Sequence, residues 1–274
     1  MRTPRYGLMC LALFLVACAG SGCNTGIIRT SPVVTTRTLP TASTESSAIF
    51  SNMDVEDNVL WHAADGWTNG NPFGVGWRAD HVEFLRGNLM LRLDDQPCIT
   101  DPAQCTGQPY ASGEYRTNRF YGYGCVESRL QVPNNSGIVT SLFIYTGPSD
   151  GNQHDEIDIE FLGKDTTRMQ ANYYTAGVGS HEVLIDLGFD ASKDFHRYGF
   201  RWSPTSIQWY VDGRVVHTED GSRGMLPAVP GRIMVNLWSG VGVENWLGPF
   251  VYSDSPINAY YDWIRFTPLE CDPF

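Results

Sequence analysis

The chain has 274 residues, a formal net charge of −11 and no cluster of basic residues. That balance excludes nucleic acid as a partner, because a phosphate backbone needs a face lined with Lys and Arg. It sets no obstacle to a neutral polymer, which makes no charge demand on the surface that binds it.

Arg2 and Arg5 form a positive start, and Leu8 to Ala17 is an apolar run too short to span a bilayer stably. Residues 2–17 therefore read as an export signal; a buried N-terminal helix is the competing reading. The run ends in Leu15-Val16-Ala17-Cys18, which resembles a bacterial lipobox. That resemblance implies that Cys18 becomes the lipidated first residue. Ala19, where an aspartate would retain the protein at the inner membrane, then implies the outer membrane or cell surface. Acyl chains anchor without spanning. Competing cuts lie after Ala19, releasing a secreted protein, and before Cys23. Residues 1–23 are thus the expected signal and lipobox region. Residues 24–49 are rich in Thr, Ser and Pro and contain no aromatic residue. Such a stretch buries too little apolar surface to offset its ordering entropy, so a flexible tether is expected.

From Phe50 onward Trp, Tyr, Phe and Gly become dense. Residues 50–274, of which about 220 make up the folded part, suffice for one domain with a sizeable core. Cys98, Cys105, Cys125 and Cys271 fall within it, and an exported location permits disulfides. Of three possible pairings, Cys98–Cys105 would close a short loop and Cys125–Cys271 would tie down the C-terminus. Cys23 is left over. A metal site is the competing reading, without the Cys-x-x-Cys or His spacing that would support it.

Short strands separated by Gly, Pro, Asn and Asp are expected throughout. Leu89 to Leu93 and Cys125 to Val132 alternate, and Ile138 to Tyr145 is nearly continuous and apolar, as in a central strand. Ile207 to Val211, then Asp212-Gly213, then Arg214 to His217 reads as a hairpin with a type I′ turn. Arg232 to Trp238 and Tyr260 to Phe266 supply further strands, and no amphipathic helix of three turns is evident. The expected class is all-β, a jelly-roll sandwich.

Within His154 to Gly163, Glu156, Asp158 and Glu160 alternate with Ile157, Ile159 and Phe161. Period two places the acids on one face of a strand and the apolar residues behind it. Three like charges on one face repel, which is costly unless a function requires them. Retaining glycoside hydrolysis is such a function, since it needs a nucleophilic carboxylate and a proton-donating carboxylic acid about 5–5.5 Å apart. Residues i and i+4 of a flat strand lie roughly 13 Å apart at Cα. Long Glu side chains on a curved strand can close that gap, with Asp158 between them sharing a proton. A solvated acidic edge strand or a calcium-binding acid cluster is the competing reading.

DEIDIEFLGKDTT, NGNPFG, FYGYG, YTGPSDG, NYYTAGVGSHE, WYVDG and NLWSGVGVENWLG occur in order between about Trp61 and Phe266. Together they resemble the bacterial lichenases, endo-1,3-1,4-β-glucanases of glycoside hydrolase family 16. The resemblance implies a bent, concanavalin A-like jelly roll with an open cleft across its concave sheet. It also implies retention of anomeric configuration, with no cofactor required for catalysis and a β-glucan polysaccharide as partner of a monomer. It assigns Glu156 as nucleophile, Glu160 as general acid/base and Asp158 as assisting acid. Carried over position by position, it places Asn69, Glu114, Arg116, Phe143, Tyr145, Asn172, Tyr174, Asn236, Trp238 and Trp246 at the sugar subsites. Rings that stack on C–H faces and planar amides or carboxylates that bind hydroxyls suit that use. It further implies a structural calcium held by Asp262 with the backbone carbonyls of Asn52 and Gly87, oxygen ligands of the kind calcium prefers.

Two positions depart from the pattern. Val75 and Ser112 stand where lichenases usually carry a cysteine pair. His154 stands where they carry a tryptophan, and HDEIDIEFLG there resembles the plant xyloglucan endotransglycosylase/hydrolases. His154 is thus expected among the substrate-binding residues, where it alters a stacking platform near the cleaved bond and with it the preferred glucan; a cleft-wall residue hydrogen-bonded to Asp155 is the competing reading. Two other functions remain open at this stage. One is a xyloglucan-active hydrolase or transglycosylase; the other is a non-catalytic, glucan-binding surface lipoprotein.

Overall fold

A computed structural model describes residues 47–96, 98–268 and 271. The expected signal and lipobox region, and residues 24–46 of the expected tether, lie outside the described residues. Two β-sheets build the described part. The seven-stranded sheet runs, in spatial order, Val183–Asp186 (β12), Arg168–Tyr174 (β11), Asp155–Leu162 (β10), Ile138–Thr146 (β9), Arg232–Ser239 (β16), Glu114–Thr117 (β7) and Trp61–Ala63 (β2). The ten-stranded sheet runs Arg214–Glu219 (β15), Ser206–Val211 (β14), His196–Ser203 (β13), Gly124–Gln131 (β8), Ile257–Thr267 (β17), Asn88–Asp94 (β5), Tyr110–Ser112 (β6) and Val75–Trp77 (β3). Ile49–Ser51 (β1) adds to β17 and Val82–Leu85 (β4) adds to β5. Ile49 pairs with Phe266, so the ordered strand begins one residue before the boundary expected at 50. Among the described residues the one α-helix is the single turn Glu244–Leu247 (α1).

Alternation decides which residues lie between the sheets. Ile157, Ile159 and Phe161 of β10 point inward and are fully buried, and Phe161 meets Tyr198 of β13 edge-on at 4.7 Å between ring centroids. Two inward aromatics also bond across the core. Trp209 Nε1 of β14 donates to the Asp158 carbonyl at 2.9 Å, and the Tyr261 hydroxyl of β17 donates to the Ser141 carbonyl at 2.8 Å. Buried indole N–H and phenol O–H groups need partners. Here the partners are carbonyls of β10 and of its neighbour β9.

The β14–β15 hairpin has φ of 43° at Asp212 and 78° at Gly213, the positive pair a type I′ turn requires. Both expected disulfides, Cys98–Cys105 and Cys125–Cys271, are present. Val75 and Ser112 are fully buried on β3 and β6. The Cys98–Cys105 loop lies directly over β3, where a Cβ on Gly76 would meet the Cys105 carbonyl oxygen at 2.4 Å.

Candidate active site

β10 is flanked on both sides, by β11 and β9, which excludes the reading of its acids as a solvated edge. Register carries the acid row across the sheet. Glu156 sits between Tyr174 and Tyr145, Asp158 between Asn172 and Phe143, and Glu160 between Gln170 and Ser141. One strand further, Phe143 pairs with Met234 and Ser141 with Asn236; then Met234 pairs with Arg116 and Asn236 with Glu114. All these residues share one face, because side chains directly opposite in an antiparallel pair point the same way.

This face forms an open cleft of two adjoining hollows, and His154, Glu156, Asp158 and Glu160 border both. The first hollow is completed by Asn69, Glu114, Arg116, Phe143, Tyr145 and Asn236. The second is completed by Asn172, Tyr174, Gln170, Glu182 and Trp246. Trp238 and Phe73 border both, their rings 4.2 Å apart. Every cleft residue expected from the sequence therefore lies in the cleft.

The acids are not equivalent. Burial lifts the Glu160 carboxyl to about 8, opposed by the Gln170 amide, whose Nε2 donates to Oε2 at 2.6 Å, with the Glu156 charge raising it further. Burial also pushes Asp158, 6% exposed, well above the usual carboxylate range, and the charges of Glu156 and Glu160 and a hydrogen bond to Glu156 add to this. Glu156 accepts from His154, with Nε2 2.5 Å from Oε2. The site thus favours the protonated forms of Asp158 and Glu160, while Glu156 takes hydrogen bonds from His154 and Asp158.

The side walls are pre-arranged. Ser141 Oγ donates to Asn236 Oδ1 at 2.5 Å, and Asn236 Nδ2 donates to Glu114 Oε2 at 3.3 Å. Burial raises the Glu114 carboxyl to about 7, and its Oε1 has no hydrogen-bond partner. The Arg116 guanidinium lies 4.9 Å over the Trp67 ring. Trp77 Nε1 donates to Asn69 Oδ1 at 2.9 Å, fixing that amide. Trp246 Nε1 donates to Gln170 Oε1 at 3.1 Å, which turns the Gln170 N–H group toward Glu160.

Sequence reasoning missed Gln170, Glu182, Trp67 and Phe73. Gln170 was within reach: Gln170, Asn172 and Tyr174 alternate, so they share one face of β11. His154 borders the cleft as expected, but its partner is not Asp155. Its imidazole bonds Glu156, while the buried Asp155 carboxylate turns to the backbone N–H groups of Ala176, Ala228 and Val229.

Asp262, Asn52 and Gly87 lie away from the cleft. Ser51 pairs with Ile264 and Leu89 with Tyr261, so register brings the segments of Asn52 and Gly87 to either side of Asp262. Carbonyl and carboxylate oxygens suit calcium in kind. Arg129 Nη1 already donates to Asp262 Oδ2 at 2.6 Å, so a cation there shares that carboxylate with a guanidinium.

Residues 69–265 match Glycosyl hydrolases family 16. The chain is 46% identical to a β-glucanase of Bacillus subtilis (strain 168) over 83% of this chain and 89% of that protein. It is 50% identical to a β-glucanase of Paenibacillus polymyxa over 77% of this chain and 84% of that one. The solved Bacillus licheniformis β-glucanase superposes with a TM-score of 0.74 at 44% identity, covering 81% of this chain and 99% of the other. The fold, the cleft and these likenesses agree: the chain belongs to glycosyl hydrolases family 16, a family of glycoside hydrolases.

Proposed function

We propose that this enzyme cleaves mixed-linkage 1,3-1,4-β-glucan internally, by double displacement with retention. The observation that carries the reading is the position of the three acids at the junction of two hollows, so that sugars can lie on both sides of the cleaved bond. The names of its relatives, β-glucanases and a lichenase from a mouse hindgut metagenome at 44% identity, support that substrate class.

Glu156 attacks the anomeric carbon while protonated Glu160 delivers its proton to the departing glycosidic oxygen. The Glu156 charge, one of the causes that hold Glu160 protonated, is consumed in the glycosyl ester. The Glu160 carboxyl then falls back toward its ordinary range and suits the next role, removing a proton from the water that cleaves the ester. Asp158 keeps its proton and donates it to the Glu156 carboxylate as a hydrogen bond. Gln170, held by Trp246, orients Glu160.

Reducing-end release from barley β-glucan, lichenan, xyloglucan and laminarin tests the reading. Cleavage of the first two is expected; none on either would refute it. Glu156→Gln should abolish release, and an unchanged rate would refute the nucleophile. The rival xyloglucan reading rests on His154 and predicts the reverse substrate order. The non-catalytic rival predicts binding without release and leaves the conjunction of three acids unexplained. Two disulfides support an oxidising, exported location. A lipid on Cys18 would add membrane attachment, and the mass of the mature N-terminus tests it. Asp262 with the carbonyls of Asn52 and Gly87 would hold calcium as a structural tie between chain segments.

A further inference from the structure

We propose that His154 is a positioning residue for Glu156, holding one carboxylate oxygen of the nucleophile through Nε2–H, in place of serving as a stacking platform for sugar. The inference rests on the assignment of Glu156 as nucleophile.

The imidazole is committed to the protein on more than one side. Its Nε2 lies 2.5 Å from Glu156 Oε2, one ring face stacks on Tyr174 at 4.8 Å and 17°, and Tyr145 stands against it at 5.3 Å and 56°. Its backbone is fixed as well. The His154 carbonyl accepts from Gly177 N at 2.8 Å, and the neighbouring Asp155 carboxylate takes donors from Gln153, Ala176, Ala228 and Val229. A side chain held in this way is pre-organised to hold its partner.

The surroundings give that bond its consequence. Facing Glu156 are Asp158 and Glu160 on its own strand, Glu114 from β7, and the phenols Tyr145 from β9 and Tyr174 from β11; facing His154 are Glu156 and the same two phenols, with the charge of Asp155 close by on the other side of the strand. In that acidic cleft the imidazole gives Glu156 a fixed N–H donor. The geometry and the titration agree, because the bond to Glu156 raises the His154 imidazole above its ordinary value.

His154→Gln keeps a donor without the charge, and His154→Phe keeps a ring without the donor. The pH dependence of kcat/KM would be measured for both on barley β-glucan. Alongside it, the pH dependence of covalent labelling by an epoxyalkyl β-glucoside would be followed, with peptide mapping of the labelled residue. Labelling of Glu156 should slow about tenfold in His154→Phe at every pH and stay near the wild-type rate in His154→Gln. At the plateau His154→Gln should retain most of its kcat, whereas His154→Phe should lose about tenfold. If label reaches Glu156 at the wild-type rate in both variants and only KM rises, His154 is a sugar contact and the proposal is overturned. If label reaches another residue, the nucleophile assignment itself falls. Thermal melts of both variants identify any loss that comes from unfolding, and the split between kcat and KM remains readable on the folded fraction.

Discussion

Replacing Gln170 by Met should move the basic limb of the pH profile upward. The Gln170 amide donates to Glu160 at 2.6 Å and so favours the ionised carboxylate, working against the burial that lifts this acid to about 8. A hydrogen bond to a charged group contributes about 1.5–3 kcal/mol, and one pH unit corresponds to about 1.4 kcal/mol, so its complete loss is worth about one to two units. The cleft is open, and water replaces part of the bond, which places the expected shift near the low end, about one unit. The proton donor then stays loaded to higher pH, and the second step, which needs the Glu160 carboxylate, slows at neutral pH. Initial rates on barley β-glucan between pH 5 and 10 give both effects. Trp246→Phe should act in the same direction, because it frees the Gln170 amide to turn its oxygen toward Glu160. A basic limb that stays in place or moves down in Gln170→Met would refute the role of Gln170.

Glu160→Gln should remove turnover yet raise the melting temperature in a pH-dependent way. The folded value, about 8, lies above the 4.5 of the free side chain, so stability is fully present below pH 4.5 and is lost as pH rises toward 8. The gain, about 10 °C at about 1.4 kcal/mol per pH unit and 2–4 °C per kcal/mol with the low end taken for an open cleft, should appear at pH 8 and vanish at pH 4.5; equal gains at both would contradict the burial argument. The Cys125–Cys271 bridge closes a separation of 146 residues and Cys98–Cys105 one of 7. The chain-entropy relation assigns them about 5 and about 2 kcal/mol, so Cys271→Ser should lower the urea midpoint more than Cys105→Ser does. Calcium at about a hundred times its Kd should stabilise by about 2.7 kcal/mol. Asp262→Asn should abolish that response and leave kcat unchanged; a melting temperature indifferent to calcium in the wild type would remove the site.

The face of β10 was legible because a strand alternates every second residue, so Glu156, Asp158 and Glu160 required no knowledge of the rest of the fold. The same rule contained the partner of His154. Residues 154 and 156 share a face while 155 points away, so alternation alone favoured Glu156 over the neighbouring Asp155. What drew Asp155 inward was beyond the reach of local pattern: its partners Ala228 and Val229 lie more than 70 positions away. Gln170 shows a related limit. Its face on β11 follows from Asn172 and Tyr174, but its position opposite Glu160 is a matter of register between strands, set only when the sheet forms.

The inward face of the same strand explains how the fold tolerates the outward one. Three carboxyls within a cleft repel and lose hydration, a cost that favours the unfolded chain. Behind them Ile157, Ile159 and Phe161 are fully buried, each such side chain contributing about 1.5–3 kcal/mol by leaving water. Trp209 adds a bond from the opposite sheet to the carbonyl of Asp158, the middle acid. Alternation thus separates the two demands by residue: odd positions hold the strand in place, and even positions are left free for chemistry. Replacing an acid by its amide should therefore leave the strand in place. Trp209→Phe, which removes the bond to the Asp158 carbonyl, should loosen the backbone on which all three acids depend.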